Sequence, residues 1–416
     1  MLIVGGGPAG MAAAAELRRR GIARVLVLER ERELGGIPRD CHHAGFGWED
    51  LRRLMSGPGY ARRWAARVRA AGADVWTESA ATRWKGARTL QVTSPRGLFD
   101  VSARAVLLAT GCRERPRAAR LVPGDRPAGV LTTGALQRLV YGAGQRAGRR
   151  AVVVGAEHVS YSAVHTLSAS GTEVAAMVTD LPRHQTYGVL AWLAAGRHRI
   201  PLLTGCDITR VSGKGRVDGV DFVHRPTGAT RSIACDTVVF TGDWIPDHEL
   251  ARTGGLTMDA GTRGPRVDPS HRTSSPGVFA AGNLLHGAET ASIASLEGRA
   301  AAGGIARFLA DGAGWDRAVV PVDVAAPLVW IVPSALAPGN GASIAPRFVL
   351  RVGAFLPGAT IEVRQGPRLL HRERFRALVP NRSIRLRGEW ASAVGPEAGT
   401  VRVAIAGGGE SGGGTR

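Results

Sequence analysis

The sequence predicts an α/β protein in which two strand–helix–strand units, the second inserted in the first, precede a small all-β module. Three observations support this fold class. An ordered set of strands and helices occurs twice, each copy has a glycine-containing turn between a strand and a helix, and the pattern changes to short alternating strands beyond Trp315. At 416 residues, the chain is long enough for two or three packed domains.

The first copy of the repeat opens the chain. An apolar strand at Leu2–Val4 leads through a Gly-rich turn into an Ala-rich helix over 11–20, and a second strand over 25–28 ends at Glu29. The copy continues with the strand Asp74–Trp76, a polar hairpin region over 85–101 and a strand over 105–111. This order is typical of a parallel sheet with a small antiparallel insert.

The second copy repeats that order. A strand over 152–154, a turn at Gly155 and a helix through Leu167 lead to a strand over 174–178 that ends near Asp180. The copy then gives a strand over 201–203, a hairpin region over 214–230 and a strand over 236–242. Both copies close on Thr-Gly, so we infer two tandem Rossmann-like units with helices on both faces of each sheet.

The opening turn has the pattern expected of a dinucleotide-binding site. The run Gly5-Gly6-Gly7-Pro8-Ala9-Gly10 follows a strand and opens a helix, and Glu29 ends the next strand nineteen residues after Gly10. Gly5 permits the tight turn, Gly7 lets the backbone approach a pyrophosphate, and Gly10 allows close helix–strand packing. Glu29 is expected to bind ribose hydroxyls, and we count Pro8, Ala9 and Arg30 with these cofactor-binding residues.

A second patch indicates which dinucleotide this unit binds. Residues 273–283 form a strand that ends on Gly282-Asn283, and an Ala-rich helix follows from about Thr290. This patch resembles the carboxy-terminal FAD motif of flavoproteins with two dinucleotide domains, the pyridine nucleotide-disulfide oxidoreductase superfamily. The resemblance implies that Gly282 and Asn283 contact the pyrophosphate and ribityl chain, with Asn283 in place of the usual Asp. It also implies that the next helix points its N-terminus at the flavin.

The resemblance covers about residues 1–312 and has a third element, Thr110-Gly111, which lies beside the cofactor in such proteins. Gly35-Gly36-Ile37-Pro38-Arg39 and the arginine-rich run 113–117 narrow the match to FAD-bearing subunits of amine, opine and hydrogen-cyanide-forming dehydrogenases. This narrower resemblance implies that Gly36 and Ile37 also contact the cofactor. The arginines at 113, 115 and 117 are interpreted as a solvated loop face or as a carboxylate-binding group.

The segment after Gly36 contains the candidate catalytic residues Cys41, His42 and His43. In disulfide reductases the corresponding segment carries two cysteines that exchange electrons with the flavin. A single thiol cannot form that disulfide, so dithiol reduction is disfavoured. Near an isoalloxazine ring, a histidine could accept a substrate proton; the alternative is that these side chains pack against the ring or face solvent.

The second glycine turn departs from a nicotinamide site. It reads Gly155-Ala156-Glu157, so that a carboxylate occupies the position of the glycine that approaches a pyrophosphate. Added bulk and negative charge both oppose phosphate binding there, although Asp180 could still receive a ribose. NAD(P) is therefore a doubtful cofactor, and the alternative is a relic domain kept for packing or subunit contact.

Composition sets further limits on function. The formal charge of +20 comes almost wholly from arginine, since Lys85 and Lys214 are the only lysines, and we interpret it as compositional bias in preference to a nucleic-acid patch. Four scattered cysteines show no metal or dithiol spacing, so no metal site is predicted. Without an apolar run long enough to span a membrane or the features of an export signal, a cytoplasmic location is expected.

The predicted organisation has five parts: a first FAD-binding segment at 1–120, an NAD(P)-binding-like domain at 121–262, a second FAD-binding segment at 263–314, the β module at 315–406 and a flexible tail at 407–416. The predicted function is an FAD-dependent dehydrogenase or electron-transfer subunit for a small amine or amino-acid-like substrate, with a partner subunit or electron acceptor. The alternatives are an NAD(P)H-dependent flavin reductase and a flavin-containing binding or assembly subunit with a basic surface.

Overall fold

A computed structural model describes residues 1–192, 199–287, 289–312, 315, 319–337 and 347–407. The chain divides into two compact units. Unit 1 comprises 1–34, 66–111 and 246–416, and unit 2 comprises 35–65 and 112–245. Within the described ranges, no helix is both long and apolar enough to cross a membrane.

Helices connect the strands of both units. The described α-helices are α1 (Pro8–Arg19), α2 (Trp48–Leu51), α3 (Gly57–Ala70), α4 (Thr133–Gln137), α5 (His158–Ala169), α6 (Gly188–Ala191), α7 (Glu249–Thr253) and α8 (Ala291–Asp311). A π-helical turn, Arg138–Gly142, continues α4. Such turns are rare and often occur near functional sites.

The strands follow the repeated order expected from the sequence. Up to residue 111 they are β1 (Leu2–Val4), β2 (Leu26–Leu28), β3 (Ala44–Phe46), β4 (Met55–Ser56), β5 (Asp74–Trp76), β6 (Ala80–Gly86), β7 (Thr89–Ser94), β8 (Gly97–Ser102) and β9 (Val106–Leu108). The next are β10 (Cys112–Glu114), β11 (Val130–Thr132), β12 (Arg150–Val154), β13 (Glu173–Val178), β14 (Leu202–Leu203), β15 (Cys206–Ser212), β16 (Gly219–His224), β17 (Ala229–Ala234), β18 (Thr237–Phe240) and β19 (Trp244–Pro246). The last are β20 (Val278–Ala280), β21 (Val320–Val324), β22 (Leu328–Val332), β23 (Ala335–Leu336), β24 (Arg347–Val352), β25 (Leu356–Gln365), β26 (Arg368–Leu378), β27 (Ile384–Arg387) and β28 (Val401–Ile405).

Unit 1 contains a parallel five-stranded sheet in the order β20-β9-β1-β2-β5. The central strands consist of buried aliphatic residues, as expected for a sheet covered on both faces. The antiparallel insert β6-β7-β8 has three strands and begins at Ala80, so it is longer than the hairpin region predicted over 85–101.

Unit 2 repeats this architecture with a parallel sheet in the order β11-β18-β12-β13-β14. Its antiparallel insert is β15-β16-β17. Strands β9 and β18 are shorter than the predicted runs 105–111 and 236–242, and beyond their ends Gly111 and Gly242 take positive φ angles of 78° and 66°.

The β module lies within unit 1. Its strands form one sheet in the order β23-β21-β28-β25-β26 and another in the order β22-β24-β27. Side chains from both sheets, including Phe348 and Ile361, share one buried core with Trp390 of the 3₁₀ turn Glu389–Ala393. Trp330 and Val332 of β22 also pack into the core of the parallel sheet of unit 1, so the module is joined to that sheet.

The predicted fold class is confirmed: two Rossmann-like units and a C-terminal sheet module are present. The strands predicted at Leu2–Val4 and Asp74–Trp76 have those bounds. The first helix begins earlier than predicted, at Pro8, because proline has no N–H to lose at the first helical position. Apart from Gly407, the predicted tail lies outside the described residues.

Candidate functional site

Two glycines of the opening turn are required by close packing. Gly5 has a φ of 108°, and a Cβ there would lie 2.3 Å from the carbonyl oxygen of Ala109. A Cβ on Gly10 would lie 1.9 Å from the carbonyl oxygen of Gly5. Any side chain at either position would separate α1 and β9 from the turn, which is the role the motif predicts for these glycines.

Gly7 borders open space. It is the N-cap of α1 and makes no side-chain cap hydrogen bond, and a Cβ placed on it would meet nothing within 4 Å. The helix dipole of α1 favours an anion in front of this N-terminus. This space at a helix N-terminus fits a pyrophosphate.

Glu29 lies where a ribose would follow the pyrophosphate. Its side chain is buried, and Oε2 accepts a hydrogen bond of 2.9 Å from Gly6 N while Oε1 accepts one of 2.9 Å from Glu31 N. These bonds leave lone pairs for ribose hydroxyls, since a carboxylate offers about four acceptor sites. The neighbouring Arg30 is exposed and forms an ion pair of 3.4 Å with Asp247.

Asp247 also holds the end of β9, a contact that sequence reasoning missed. Thr110 Oγ1 donates a hydrogen bond of 2.7 Å to the carbonyl of Asp247, and Asp247 N donates one of 2.9 Å to the carbonyl of Gly111. Asp247 belongs to no motif, so spacing alone could not reveal it. The Thr-Gly turn is thereby fixed within unit 1.

The Gly-Asn turn packs directly against the opening turn. Gly282 has a φ of 76°, and a Cβ there would lie 2.7 Å from the Cβ of Ala9. Asn283 uses its amide to bind the backbone of Glu289, and Thr290 caps α8 by accepting a hydrogen bond from Ile293 N at 3.3 Å. Unit 1 thus brings together both segments of the predicted FAD site.

Gly36, Ile37 and the candidate catalytic residues belong to unit 2. Gly36 precedes a short 3₁₀ turn, Ile37–Asp40, in which Ile37 is exposed. Cys41 Sγ is buried, 3.5 Å from the carbonyl of Ile37 and 3.6 Å from Gln137 Oε1. Burial raises the pKa of the Cys41 thiol to about 12, so at neutral pH it is a protonated thiol and a poor nucleophile.

The two histidines lie beside aromatic groups that no sequence pattern selects. His42 stacks on Tyr141 of the π-helical turn, with ring centroids 3.9 Å apart and planes 4° from parallel. His43 Nδ1 lies 2.8 Å from the carbonyl of Ala44, and its ring centroid is 6.2 Å from that of His165. Burial, with the charges of His43 and His42, lowers the pKa of His165. Tyr141 and His165 follow no motif spacing.

The arginines after β10 bind protein groups. Arg115 pairs with Asp243 at 2.7 Å, and the buried Arg117 donates to the backbone carbonyls of Val122, Pro123 and Asp125. Arg117 therefore belongs to the loop structure, and the interpretation of it as a solvated loop residue is wrong. A guanidinium occupied by three carbonyls is also poorly placed to bind a carboxylate substrate.

The second glycine turn holds a carboxylate where the first has open space. Glu157 caps α5 with the same extended backbone that Gly7 has at α1. Its Oε2 accepts a hydrogen bond of 2.6 Å from Ser160 Oγ, and a Cβ on Gly242 would lie 3.2 Å from its Cδ. Among the described residues, the buried Oε1 has no hydrogen-bond partner. The N-terminus of α5 therefore already carries a negative charge.

Asp180, expected to receive a ribose, is half exposed. Its carboxylate lies 3.8 Å from Arg225, whose guanidinium also pairs with Asp207. An exposed pair of this kind contributes little energy and leaves the carboxylate accessible.

The described geometry of unit 1 fits the ADP half of a dinucleotide cofactor. A model of the pyridine nucleotide-disulphide oxidoreductase family matches residues 1–298. The chain belongs to this family. Members of the family bind FAD, so the protein is an FAD-dependent oxidoreductase.

Known relatives agree with this family. The chain is 29% identical to a subunit of the opine oxidase of Rhizobium meliloti, over 73% of this chain and 70% of that protein. It is 28% identical to the alpha subunit of the sarcosine oxidase of a Corynebacterium species, over 80% of this chain and only 35% of that protein. It is 29% identical to the HcnB subunit of the hydrogen cyanide synthase of Pseudomonas aeruginosa, over 70% of this chain and 68% of that protein.

A solved structure shows the same fold. Thioredoxin reductase of T. acidophilum superposes with a TM-score of 0.62 at 22% identity, covering 74% of this chain and 98% of that one. The predicted resemblance to this superfamily, and to opine and hydrogen-cyanide-forming subunits within it, is confirmed.

Proposed function

We propose that the protein is a dehydrogenase, or the electron-transfer subunit of one, that acts on a small amine or amino-acid-like substrate. The names of two relatives refer to opines and sarcosine, which are amino acids with a substituted nitrogen. Bound FAD would supply the hydride acceptor. The chain itself would bind and orient the substrate and accept its proton.

The observation that carries this proposal is the position of Glu157. Its buried carboxylate occupies the turn at which a nicotinamide dinucleotide would place its pyrophosphate. Cys41 is likewise a single, protonated thiol, which cannot form the disulfide that passes electrons to the flavin in disulfide reductases. Reduction by an organic substrate is the route that these residues leave open.

His43 is the better placed of the two candidate proton acceptors. A backbone carbonyl can only accept a hydrogen bond, so the 2.8 Å contact with Ala44 O requires the proton of the neutral ring on Nδ1. The lone pair then lies on Nε2, which could take a proton from a substrate nitrogen. His42, stacked on Tyr141, would instead contribute a flat surface for binding.

The test is an anaerobic titration of the purified flavoprotein with NADH, NADPH and a panel of secondary amines and N-substituted amino acids, following loss of flavin absorbance. Bleaching by an amine and not by NADH supports the proposal. Fast bleaching by NADH alone would establish the NAD(P)H-dependent flavin reductase instead.

Variants at His43 test the assigned proton transfer. His43→Gln should lower kcat/KM by about a hundredfold or more, since general-base catalysis contributes roughly 10²–10⁴-fold. His224→Gln is the control, because His224 bonds Thr227 in the antiparallel insert of unit 2. Equal rates and pH profiles in both variants would exclude His43 as the base.

We further expect a partner that removes the electrons, in the cytoplasm. The relatives named above are subunits, and the chain spans about a third of the sarcosine oxidase alpha subunit. Co-purification of a second polypeptide with the tagged protein would identify the partner. A single polypeptide that turns over with a small acceptor at full rate would argue against it.

A binding or assembly role is the second candidate. Arg372, Arg374 and Arg376 are exposed and alternate along the edge strand β26, so they project from one face. Arg372 is paired with Glu362, which reduces the free charge of this face. Retention on heparin that is lost at moderate salt, without turnover of any amine, would favour this role.

A further inference from the structure

The loop between β20 and α8 contains a closed pair of hydrogen bonds. Asn283 Oδ1 accepts from Glu289 N at 3.0 Å, and Asn283 Nδ2 donates to the carbonyl of Glu289 at 3.3 Å. The next residue, Thr290, is the N-cap of α8. A group that fixes Glu289 therefore fixes both the side chain of Asn283 and the start of α8.

The β module supplies that group. The side chain of Glu289 is 1% exposed and forms an ion pair of 2.7 Å with Arg351 of β24. The hydroxyl of Ser383, just before β27, donates a hydrogen bond to its other carboxylate oxygen. Two residues of the module thus hold the last residue of the loop.

A second path joins the same parts. Glu297 accepts from Gly282 N at 2.9 Å and bonds His286 Nε2 at 2.9 Å. The ring of His286 stacks on the ring of Trp330 in β22, with centroids 5.6 Å apart. The guanidinium of Arg351 lies 5.4 Å from the centroid of the Trp330 ring. The contacts therefore run from Gly282 through the β module and back to Asn283.

A buried ion pair of this kind adds little net stability, because desolvation of both charges offsets their attraction. Its main effect is to fix geometry. Trp330, Arg351 and Ser383 all lie beyond residue 298, where the family match ends.

We propose that the β module positions the flavin-binding loop, with Arg351 and Ser383 acting through Glu289 to set the affinity for FAD and the flavin's reduction potential. The favourable field of a helix N-terminus falls off within its first turn. A small displacement of Thr290 would therefore weaken the stabilisation of negative charge on reduced flavin. This proposal rests on FAD binding and is independent of the substrate proposed above.

The test compares three variants of the flavin-loaded protein. Ser383→Ala removes one donor without unpairing a charge, and the double variant Glu289→Gln with Arg351→Met removes the ion pair without leaving a buried charge alone. Arg374→Ala, an exposed arginine on β26, is the control. The measurements are the FAD dissociation constant, the flavin absorption spectrum and the midpoint potential.

Both test variants should bind FAD more weakly than the control, and the double variant should lose about tenfold in preference for reduced over oxidised flavin. That change lowers the midpoint potential by about 30 mV for a two-electron couple. A folded double variant with unchanged potential, spectrum and FAD affinity would overturn the proposal. If the double variant does not fold, Ser383→Ala decides by the same readouts.

Discussion

A Cβ atom on Gly298 of α8 would lie 2.0 Å from the carbonyl oxygen of Ala9 in α1, so the two helices touch through their backbones. These residues are 289 positions apart: Ala9 lies in the opening glycine-rich run, and Gly298 lies in the helix that follows the Gly282-Asn283 turn. Their contact explains how two distant segments form one site. Close packing therefore requires a glycine at position 298, whereas a Cβ on Gly7 would meet no protein atom within 4 Å.

Gly7→Glu should fold but lose FAD. The added side chain meets no protein atom near its Cβ, yet its bulk and charge enter the space assigned to the pyrophosphate. The ratio of flavin to protein absorbance should fall to near zero, with an unchanged circular dichroism spectrum. Gly188→Glu is the matched control, since Gly188 also borders open space at a helix start. A fully flavinylated Gly7→Glu protein would overturn the site assignment.

Gly298→Ala should lower the stability of the fold, in contrast to Gly7→Glu. Its methyl group would overlap the backbone of α1, and overpacking of this kind costs about 1–3 kcal/mol or more. We expect a lower melting temperature both with and without FAD. A variant as stable as the wild type would show that α1 and α8 can separate without cost.

Cys41→Ser should leave the flavin bound and reducible by dithionite. The described structure shows Cys41 as a free thiol that contacts Ile37 and Gln137. No charge-transfer band should be lost, because burial keeps the thiol protonated. A two-electron disulfide couple in the wild-type protein would contradict this view.

His286 should make stability depend on pH. Burial opposes its charge, but Glu297 and then Glu289 outweigh burial and raise the pKa of His286 above 6.5. Protonated His286 therefore stabilises the fold fully below about pH 6.5, and this contribution is lost as pH rises through the raised pKa. Each tenfold gain in the proton affinity of the folded state corresponds to about 1.4 kcal/mol of stability. Nearby His271, whose pKa burial lowers, acts only at lower pH and in the opposite direction.

Melting temperatures of wild type and His286→Gln, both saturated with FAD, test this dependence. The wild type should exceed the variant most near pH 6, and the difference should shrink toward pH 9. A difference that grows with pH would mean that His286 is held neutral.

The sequence predicted the parts of the site that depend on local backbone. The turn at Gly5–Gly10 and the acid at Glu29 are set by spacing, because a turn, a helix start and the next strand end are consecutive along the chain. Asp247, Glu289 and Arg351 were not predicted. Each acts across a long sequence separation, and an ion pair leaves no periodic pattern in a single sequence.

The candidate catalytic residues show the same limit. The position of Cys41 after Gly36 was readable by resemblance, whereas its burial against Gln137, which keeps the thiol protonated, depends on the packing of α4. Likewise, Tyr141 reaches His42 from a π-helical turn that no propensity indicates. Side-chain environment follows from tertiary packing, which single-residue patterns do not encode.

Glu157 is the residue whose replacement should change nicotinamide binding. Wild-type protein should bind NADH weakly and be reduced slowly by it, because the buried carboxylate opposes phosphates by both bulk and charge. Glu157→Gly removes both obstacles and should tighten binding by roughly tenfold to a hundredfold, the equivalent of about 1–3 kcal/mol. Loss of the capping interaction with Ser160 should cost only about a few tenths of a kcal/mol of stability, because glycine is itself tolerated at an N-cap.

Glu157→Gln separates the two obstacles, since it removes the charge and keeps the volume. If charge dominates, Gln and Gly should improve NADH affinity alike; if bulk dominates, only Gly should. Ser160, whose hydroxyl also lies 2.6 Å from Thr241, limits the recovery because it fills part of the same turn. Stopped-flow reduction of the flavin by NADH provides the comparison. Tight, fast reduction of the wild type would show that unit 2 is a working nicotinamide site, and the proposed amine dehydrogenase would then give way to an NAD(P)H-dependent reductase.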